Sequence, residues 1–363
     1  MNPAKRVCLI RFGPGDNPRT VKTVEAISSA GYEVHLICVQ SETKITRGAA
    51  NCKTFETKFY KNSSIRYFNF LIRSFIYLLK NMPTYLHCSN EETCFPFLLV
   101  FKPFRKTIVI LDIYDSLGDR VQGSVFIKYL CSFISDVSMS LSNLIIVCDD
   151  RRQANLKKQY QCKSIVVENS PIFIPYNSKQ AMPSGEIKIG LIGNLTKRRG
   201  IDIAVKALSK TTNTRLVIAG ILDEYSLSRI LNNSKIDYHG VLSSRHAMDL
   251  LLECDASFSF YEPTTKNHIY ASPSKIFDAM SVGRYVIVNS EAKVSSFIIK
   301  NKIGFTCSYY DIDGLINIFK KIKDERDNLH SFASETTSNF NKNYSWGIMS
   351  MRLLNEYSRL GKE

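Results

Sequence analysis

A lysine and an aspartate three residues apart, Lys275 and Asp278, are the side chains of this sequence whose types and spacing best suit ligand binding. The sequence predicts a short helix that starts near Pro273 with Ser272 as its cap, and residues three apart leave the same side of a helix. A cation beside a helix N-terminus suits phosphate, and a carboxylate one turn later can accept from two hydroxyls. The simpler interpretation is a solvated surface ion pair, which is common and weak.

Three consecutive basic residues form a second candidate site. Lys197, Arg198 and Arg199 stand between a predicted strand and a predicted helix. Cations at this position suit a phosphate group, because the helix N-terminus adds its own positive field. Two anion-attracting turns at the same end of one sheet are difficult to explain as solvated charge alone. The sequence therefore favours a ligand that carries phosphate.

A glycine-rich loop, GPGDNP, follows the first predicted strand. It has two of the three glycines of a dinucleotide fingerprint, but Pro18 stands where the third is needed, so it is a weak signal for NAD. The loop still lies at the carboxyl end of a strand, where open α/β sheets bind ligands. Gly13, Gly15 and Arg19 are therefore candidate cleft residues.

These motifs stand at the ends of elements that alternate along the chain. Apolar segments followed by turn residues predict strands, and periodic segments predict helices, over residues 1–172 and again over 187–343. Residues 173–186 lack a period and are predicted to be a linker, and 344–363 to be a final amphipathic helix. The prediction is an α/β chain of two doubly wound, Rossmann-like domains, with ligands in a cleft where the carboxyl ends of the two sheets face each other.

Composition excludes several classes of protein. The ten cysteines and six histidines show no metal-ligand or disulfide spacing, so no metal is expected and the compartment is predicted to be reducing. The sequence shows no signal peptide or spanning segment, which predicts a cytoplasmic protein. Residues 1–180 hold 24 basic and 14 acidic residues, a net +10 of the total +15. This bias predicts an anionic partner, and no nucleic-acid module supports nucleic acid.

The segment 65–80 is predicted to be a helix with aromatic and aliphatic residues on most sides and basic residues along one face. A wide aromatic face rimmed by cations suits a helix that lies in a bilayer interface. Arg66, Phe70, Arg73 and Lys80 are therefore candidate membrane contacts. The alternative is a core helix with one exposed edge.

Several of these motifs together resemble a known family. The turn GN-x-x-KRRG at 193–200, the strand RLVIAG at 215–220 and the segment SPSKIFDAMSVGRYVIV at 272–288 look like those of a bacterial glycosyltransferase of the GT-B architecture, in a serine-proline-x-lysine subgroup. The loop ENSP at 168–171 and the last helix, which in that family crosses back to the first domain, extend the resemblance. It implies transfer of a sugar from a UDP- or GDP-sugar to a glycan or polyprenyl-linked acceptor in O-antigen, capsule or lipopolysaccharide synthesis. It also implies a peripheral location on the inner face of the cytoplasmic membrane, and no metal or other cofactor is expected.

Carried over residue by residue, the resemblance implies a donor site in the second domain. Arg199 and Lys275 would contact the donor diphosphate, together with another cation of the basic turn. Asp278 stands where most relatives have a glutamate that accepts from the ribose hydroxyls, and the backbone after a later strand would face the base. The predicted donor site consists of Gly193, Asn194, Lys197, Arg198, Arg199, Gly240, Val241, Ser274, Lys275 and Asp278.

Two departures from the family pattern leave the chemistry open. Tyr270 stands where many relatives have the first of two glutamates, and Asn194 replaces a common arginine. The contacts with the donor sugar, and retention or inversion at its anomeric carbon, are therefore not predicted. An inverting enzyme needs a general base for the acceptor hydroxyl. Asp115, after a predicted strand, is the first candidate and Asp16 the second, whereas Asp115 could equally be a helix cap or loop carboxylate.

Other functions stay open. A sugar-nucleotide epimerase of the same fold would also bind a nucleoside diphosphate, but it should have more clustered acid and base residues. A non-catalytic relative is possible if the lost glutamate marks decay, although Lys275 and Asp278 argue against it. A nicotinamide-dependent enzyme would need the glycine that Pro18 replaces. UDP or GDP should therefore raise the thermal stability, whereas NAD should not.

Overall fold

A computed structural model describes most of the chain as two compact units. The first comprises residues 1–168 and 350–363, and the second comprises residues 169–349. The predicted linker 173–186 lies, as far as residue 184, outside the described residues. The described ranges are 5–41, 52–104, 107–121, 123–172, 185–231 and 233–362.

Seven parallel strands form the sheet of the first unit. Most of them are nearly continuous apolar segments, because helices cover both faces of a parallel sheet. They are β1 (Arg6–Pro14), β2 (Glu33–Val39), β3 (Lys53–Thr57), β4 (Tyr85–Ser89), β5 (Ile108–Ile113), β6 (Leu144–Val147) and β7 (Ser164–Val166), in the order β3-β2-β1-β4-β5-β6-β7.

In the part of the first unit that the structure describes, seven helices connect these strands. The predicted helices are present, except that the single helix predicted over 149–160 is two short helices. The one-turn helix at 117–120 was not predicted, nor was the edge strand β3, because KTFET is short and polar. The helices are α1 (Pro18–Ser29), α2 (Ser63–Lys80), α3 (Glu91–Phe104), α4 (Leu117–Arg120), α5 (Val125–Leu141), α6 (Asp150–Ala154) and α7 (Lys158–Gln161).

The glycine-rich loop is the capped start of α1. The Asn17 side chain accepts from the backbone N–H groups of Arg19 and Thr20, and Pro18 is the first helical residue, where its missing N–H costs nothing. Gly15 is buried, and a Cβ there would come 2.9 Å from Cys38 Sγ of β2. Its glycine is therefore explained by close packing against the neighbouring strand.

Helix α2 presents a different face to solvent from the predicted one. Phe70 is 0% exposed and its ring packs 5.4 Å from Phe12, so the prediction that Phe70 contacts a membrane is wrong. The sequence places aromatic and aliphatic residues on most sides of this helix, so their periodicity does not identify the stripe that packs on the sheet. Arg66 lies 4.7 Å from the Phe59 ring, whereas Arg73 and Lys80 are exposed.

The second unit is built on six parallel strands, which the sequence predicts except for the short strand β13. The order places β8 between β9 and β11, so the ends of these three strands lie side by side. The strands are β8 (Ile187–Ile192), β9 (Thr214–Ala219), β10 (Ile236–Tyr238), β11 (Ala256–Ser259), β12 (Tyr285–Asn289) and β13 (Gly304–Cys307), in the order β10-β9-β8-β11-β12-β13.

The helices of the second unit include three that were not predicted, α9, α11 and α15. The remaining helices lie within a few residues of their predicted bounds, and the basic turn 197–199 is a single 3-10 turn. The helices are α8 (Ile201–Ser209), α9 (Glu224–Ile230), α10 (Ser244–Leu252), α11 (Lys266–Ile269), α12 (Ser274–Ser281), α13 (Ser295–Lys300), α14 (Ile312–Asp324) and α15 (Leu329–Asn343); the last helix of the chain, α16 (Trp346–Leu360), follows them.

Most of α16 belongs to the first unit, although it follows the second unit in the sequence. Tyr357 is fully buried there: its hydroxyl lies 2.7 Å from His87 Nδ1, and its carbonyl accepts from the Tyr85 hydroxyl at 2.9 Å. At the end of the helix, Lys5 Nζ donates to the carbonyl of Gly361 at 2.6 Å. The last residues of the chain therefore complete the polar core of the first unit.

Candidate functional site

The carboxyl ends of β8 and β9 approach each other through two glycines. Gly193 and Gly220 have φ angles of 133° and 129°, and a Cβ at Gly220 would lie 1.8 Å from the Gly193 carbonyl oxygen. No other residue fits at Gly220, because both the backbone conformation and the space require glycine. Because neither glycine has a side chain, a ligand at these strand ends could contact the main chain directly.

Helix α12 places Lys275 against Gly193. A Cβ at Gly193 would come 3.0 Å from Lys275 Cε, so the lysine stem lies directly over the turn that follows β8. Lys275 Nζ is 3.1 Å from Asp278 Oδ2, which puts both side chains on one side of the helix as predicted. The helix begins at Ser274 with Pro273 as its N-cap, so the predicted cap, Ser272, is wrong by one residue.

Arg199, in the turn between β8 and α8, reaches the end of the neighbouring strand β11. Its guanidinium carbon is 4.0 Å from the centre of the Tyr261 ring, which is a close cation–π contact. Its Nη1 atom is buried and has no hydrogen-bond partner among the described residues. A buried guanidinium donor without a partner is costly, and an anion placed there would satisfy it.

The other two cations of the basic turn point to different neighbours. Lys197 Nζ lies 4.8 Å from the ring of Tyr225 in α9, and Arg198 lies 3.6 Å from the Glu262 carboxylate. Both side chains are exposed. Arg199 is therefore the cation of this turn with the most specific environment.

Residues that the sequence did not single out hold this arrangement in place. The buried Asn289 side chain accepts from the Tyr261 N–H at 2.8 Å, which fixes the backbone of the ring that contacts Arg199. His268 Nδ1 donates to the Glu262 carbonyl at 2.8 Å. Burial lowers the pKa of His268, so the ring is neutral and its Nε2 can accept. The polar Asn289 at the end of an apolar strand was the available signal.

Exposed apolar side chains lie beyond β9 and β10. Gly240, with φ 67°, accepts from the Gly220 N–H at 2.7 Å, and Val241 beside it is 70% exposed. Ile221 and Tyr238 are exposed as well, and the Tyr238 hydroxyl donates to the Gly220 carbonyl at 3.2 Å. This edge of the second sheet suits the flat apolar face of a base. Asn194 is exposed at the turn after β8, and Ser274 is half-buried.

Two loop carboxylates lie at the carboxyl edge of the first sheet, as predicted. Asp16 is exposed after β1, and Asp115 follows β5, with β4 between these strands. Asp115 is half-exposed and its Oδ1 is 3.3 Å from Arg152 Nη2. Gly13 lies within β1, close to this edge.

Arg19 is not available to a ligand. The residue is 3% exposed, and its side chain forms a two-pronged ion pair with Asp112 at 2.8 and 3.2 Å and donates to the Val167 carbonyl at 2.8 Å. Burial alone would raise the pKa of Asp112, but Arg19 and the nearby His87 hold it below its usual value. The prediction that Arg19 lines a cleft is therefore wrong: the residue joins α1 to the sheet.

Glu91, the first residue of α3, is a buried acid near this edge. Its oxygens accept from the Leu117 N–H and the Ser135 hydroxyl, at 3.3 Å each. Burial raises the pKa of Glu91 to about 7. These long contacts do not replace the water that an ionised carboxylate loses.

We expect Glu91→Gln to change how stability depends on pH. The pKa of glutamate in the unfolded chain is about 4.3. Between this pH and about 7 the folded state keeps a proton that the unfolded state has lost, so the free energy of unfolding falls as pH rises. The free energy of unfolding of the variant should therefore exceed that of the parent by roughly 3–4 kcal/mol above pH 7, and by little near pH 4. Urea denaturation followed by circular dichroism across this range measures it. Glu25→Gln, at an exposed position of α1, is the control, and a pH-independent difference for Glu91→Gln would contradict the prediction.

Among the described residues there is no cluster of three or more His, Cys, Asp or Glu side chains arranged to hold a metal ion. In the same residues, no helix combines the length and the apolar character needed to cross a membrane.

Comparison with known proteins identifies the fold. The sequence profile of the family described as Glycosyl transferases group 1 matches residues 175–339. No curated protein sequence matches the chain. Sucrose-phosphate synthase from Thermosynechococcus elongatus superposes with a TM-score of 0.78 at 12% identity, covering 99% of both chains.

Two further solved structures agree with this comparison. Anabaena Alr3699/HepE, in complex with UDP and glucose, has a TM-score of 0.71 at 11% identity and covers 98% of this chain and 100% of its own. WaaG, a glycosyltransferase involved in lipopolysaccharide biosynthesis, has a TM-score of 0.68 at 11% identity and covers 96% of this chain and 98% of its own. The chain therefore has the GT-B glycosyltransferase fold, and its second unit carries the match to the glycosyl transferases group 1 family.

Proposed function

We propose that this protein is a glycosyltransferase that moves a sugar from a UDP- or GDP-sugar to a glycan or lipid-linked acceptor in bacterial surface polysaccharide synthesis. Nη1 of Arg199 carries the proposal, because it is a buried cationic donor without a partner among the described residues, and an anion would satisfy it. Lys275, at the adjacent strand end, supplies a second cation. The profile match, the UDP in the HepE structure and the biosynthetic role of WaaG support it.

In this proposal the second unit binds the donor and stabilises its leaving group. Arg199, Lys275 and the first-turn N–H groups of α12 face the diphosphate, which gains negative charge as its bond to the sugar breaks. Because these groups supply the positive charge, we expect activity without a divalent cation. Activity that disappears with EDTA and returns with magnesium would contradict this expectation.

The acceptor hydroxyl attacks the anomeric carbon while a base removes its proton. Asp115 and Asp16 are our candidates for that base if the reaction inverts configuration. Asp115→Asn and Asp16→Asn should then lower turnover and leave nucleotide affinity unchanged.

Binding of nucleotides gives the first test of the function. UDP or GDP at saturating concentration should raise the melting temperature, and NAD should not. A screen of UDP- and GDP-sugars for slow hydrolysis would then identify the sugar. Stabilisation by neither nucleotide would overturn the proposal, and conversion of a sugar nucleotide to its epimer would favour an epimerase instead.

We expect Asp278→Asn to distinguish the contribution of the ribose to binding from that of the phosphates. If Asp278 accepts from the ribose hydroxyls, the amide keeps one oxygen but loses the charge, and affinity for the nucleoside diphosphate should fall by roughly 1–3 kcal/mol. Inorganic pyrophosphate contacts only the cations, so its affinity should hardly change. Calorimetric titration of both ligands decides the matter. Equal losses would mean that Asp278 acts only by positioning Lys275.

A further inference from the structure

Among the described residues of the first unit, the start of α5 is the most exposed apolar segment. Residues 123–130 are all exposed, and Val125, Phe126 and Tyr129 are 85%, 74% and 73% exposed. The sequence predicted the bounds of this helix but gave it no role. Large apolar side chains exposed together on consecutive turns are typical of a surface that another phase or molecule covers.

Helix α2 adds a second apolar stripe. Ile65, Phe68, Ile72, Ile76 and Leu79 are all exposed and follow helical spacing. Beside the stripe, residues of α2 and α3 line a shallow apolar groove of about 270 Å³.

Helix α3 joins α2 to α5 on one side of the sheet. The Tyr67 hydroxyl of α2 donates to the Glu92 carbonyl of α3 at 2.7 Å, and Phe95 of α3 lies 6.4 Å from Phe133 of α5. Leu99 of α3 is also exposed. We call the outer surface of α2, α3 and the start of α5 the apolar face.

The charge around this face has one sign along α2. Residues 58–80 contain five cations, Lys58, Lys61, Arg66, Arg73 and Lys80, and no acidic residue. Lys128 adds a further cation in the exposed start of α5. Cations beside inserted apolar side chains complement anionic lipid headgroups above an acyl layer.

We propose that the first unit docks on an anionic phospholipid bilayer through the apolar face, with the start of α5 inserted. The outer stripe of α2 lies at the acyl boundary, and the cations of residues 58–80 meet the headgroups. The insertion by α5 goes beyond the membrane role predicted for α2 alone. In this proposal the exposed residues of α2 contact the membrane, whereas the buried Phe70 does not.

The position of the face links it to the carboxylates. In a parallel sheet, helices that follow a strand start at its carboxyl edge, so α2, α3 and the α4–α5 segment all start where Asp16 and Asp115 lie. Arg120 of α4 donates to the Asp115 carbonyl at 3.0 Å, which ties the start of α5 to that loop. On the proposed function, a lipid-linked acceptor would therefore meet the protein at this edge.

Flotation with vesicles tests the docking in the full chain. The parent should float with phosphatidylcholine vesicles that contain about 30% phosphatidylglycerol, and much less with neutral vesicles or at high salt. Phe126→Ser with Tyr129→Ser should lower the bound fraction at least tenfold, and Arg73→Glu with Lys80→Glu should remove the preference for anionic lipid. Ile299→Ser, an exposed apolar residue of the second unit, is the control and should float like the parent.

The results distinguish a bilayer from a second copy of the chain as the partner of the apolar face. If the double serine variant floats like the parent, or the parent does not bind anionic vesicles, the proposal is overturned. If the parent is a dimer that the serine variant dissociates, and neither floats, the face is an interface between copies. Stabilisation by UDP or GDP should be the same in parent and serine variant, so failure of docking is distinct from failure of the proposed function.

Discussion

Arg199→Ala should weaken binding of UDP or GDP by roughly 1–3 kcal/mol, which is about 5- to 150-fold in Kd, because it removes the charged donors opposite the diphosphate. Nη1 of Arg199 is buried without a partner in the described structure, so the free protein loses no hydrogen bond of that atom on truncation. Most of the loss should therefore appear in the complex. Calorimetric titration measures it directly.

Lys275→Ala should have a loss in the same range. Its Nζ is paired with Asp278 before a ligand binds, so part of its charge is already compensated. Lys275→Met is the sharper variant, because it keeps the stem that packs over Gly193 and removes only the ammonium group. If the methionine variant binds as weakly as the alanine variant, the charge is responsible.

Matched controls come from the same unit. Lys210→Ala removes an exposed cation paired loosely with Asp313 at 3.9 Å, and it should leave affinity unchanged. Lys197→Ala tests whether a cation that lies over Tyr225 contributes, and we expect a smaller loss than for Arg199. Unchanged affinity in both the Arg199 and Lys275 variants, with intact folding, would remove the diphosphate site from this unit.

The second large effect concerns the buried ion pair of Arg19 and Asp112. Arg19→Met leaves the Asp112 carboxylate buried with little compensation, and breaking such a pair costs roughly 3–5 kcal/mol. Because pairing with Arg19 lowers the pKa of Asp112, the pair contributes above the unfolded pKa of about 3.9 and its contribution is lost as pH falls. The variant should therefore differ most from the parent at neutral pH.

A double variant separates the pair from its surroundings. Arg19→Met with Asp112→Leu replaces both charges by apolar groups and should recover much of the lost stability. Urea denaturation of the parent and the variants measures the coupling. A double variant as unstable as the sum of the single variants would show that the two residues stabilise the unit independently, for example through Val167 and His87.

The sequence predicts most strands of this chain because parallel strands are buried on both faces and read as apolar segments. It also places Lys275 and Asp278 on one helix face, since that relation depends on spacing alone. Short or polar elements such as β3 and α15 have neither a continuous apolar segment nor a clear periodic spacing of apolar residues. Element order, and with it the edge at which the candidate sites lie, was therefore accessible without coordinates.

Contacts between distant residues were not accessible in the same way. Arg19, which follows the glycine-rich loop, looks like a free cation in the sequence because its partner Asp112 is 93 residues away. Asn289 and Tyr261 meet only because β11 and β12 are neighbours. Phe70 was misassigned for a related reason: on a helix that is apolar almost all round, only the packed structure shows which stripe faces the sheet.

The return of α16 to the first unit has a consequence for synthesis on the ribosome. Tyr357, which His87 and Tyr85 contact, is translated after the entire second unit. The first unit therefore cannot complete its polar core when its own sheet emerges, because about 190 further residues must be translated first, which takes roughly 10–40 s at ordinary translation rates. Until then, His87 lacks the Tyr357 hydroxyl as its hydrogen-bond partner. A peptide that supplies residues 346–362 in trans should restore this partner in a fragment that lacks them.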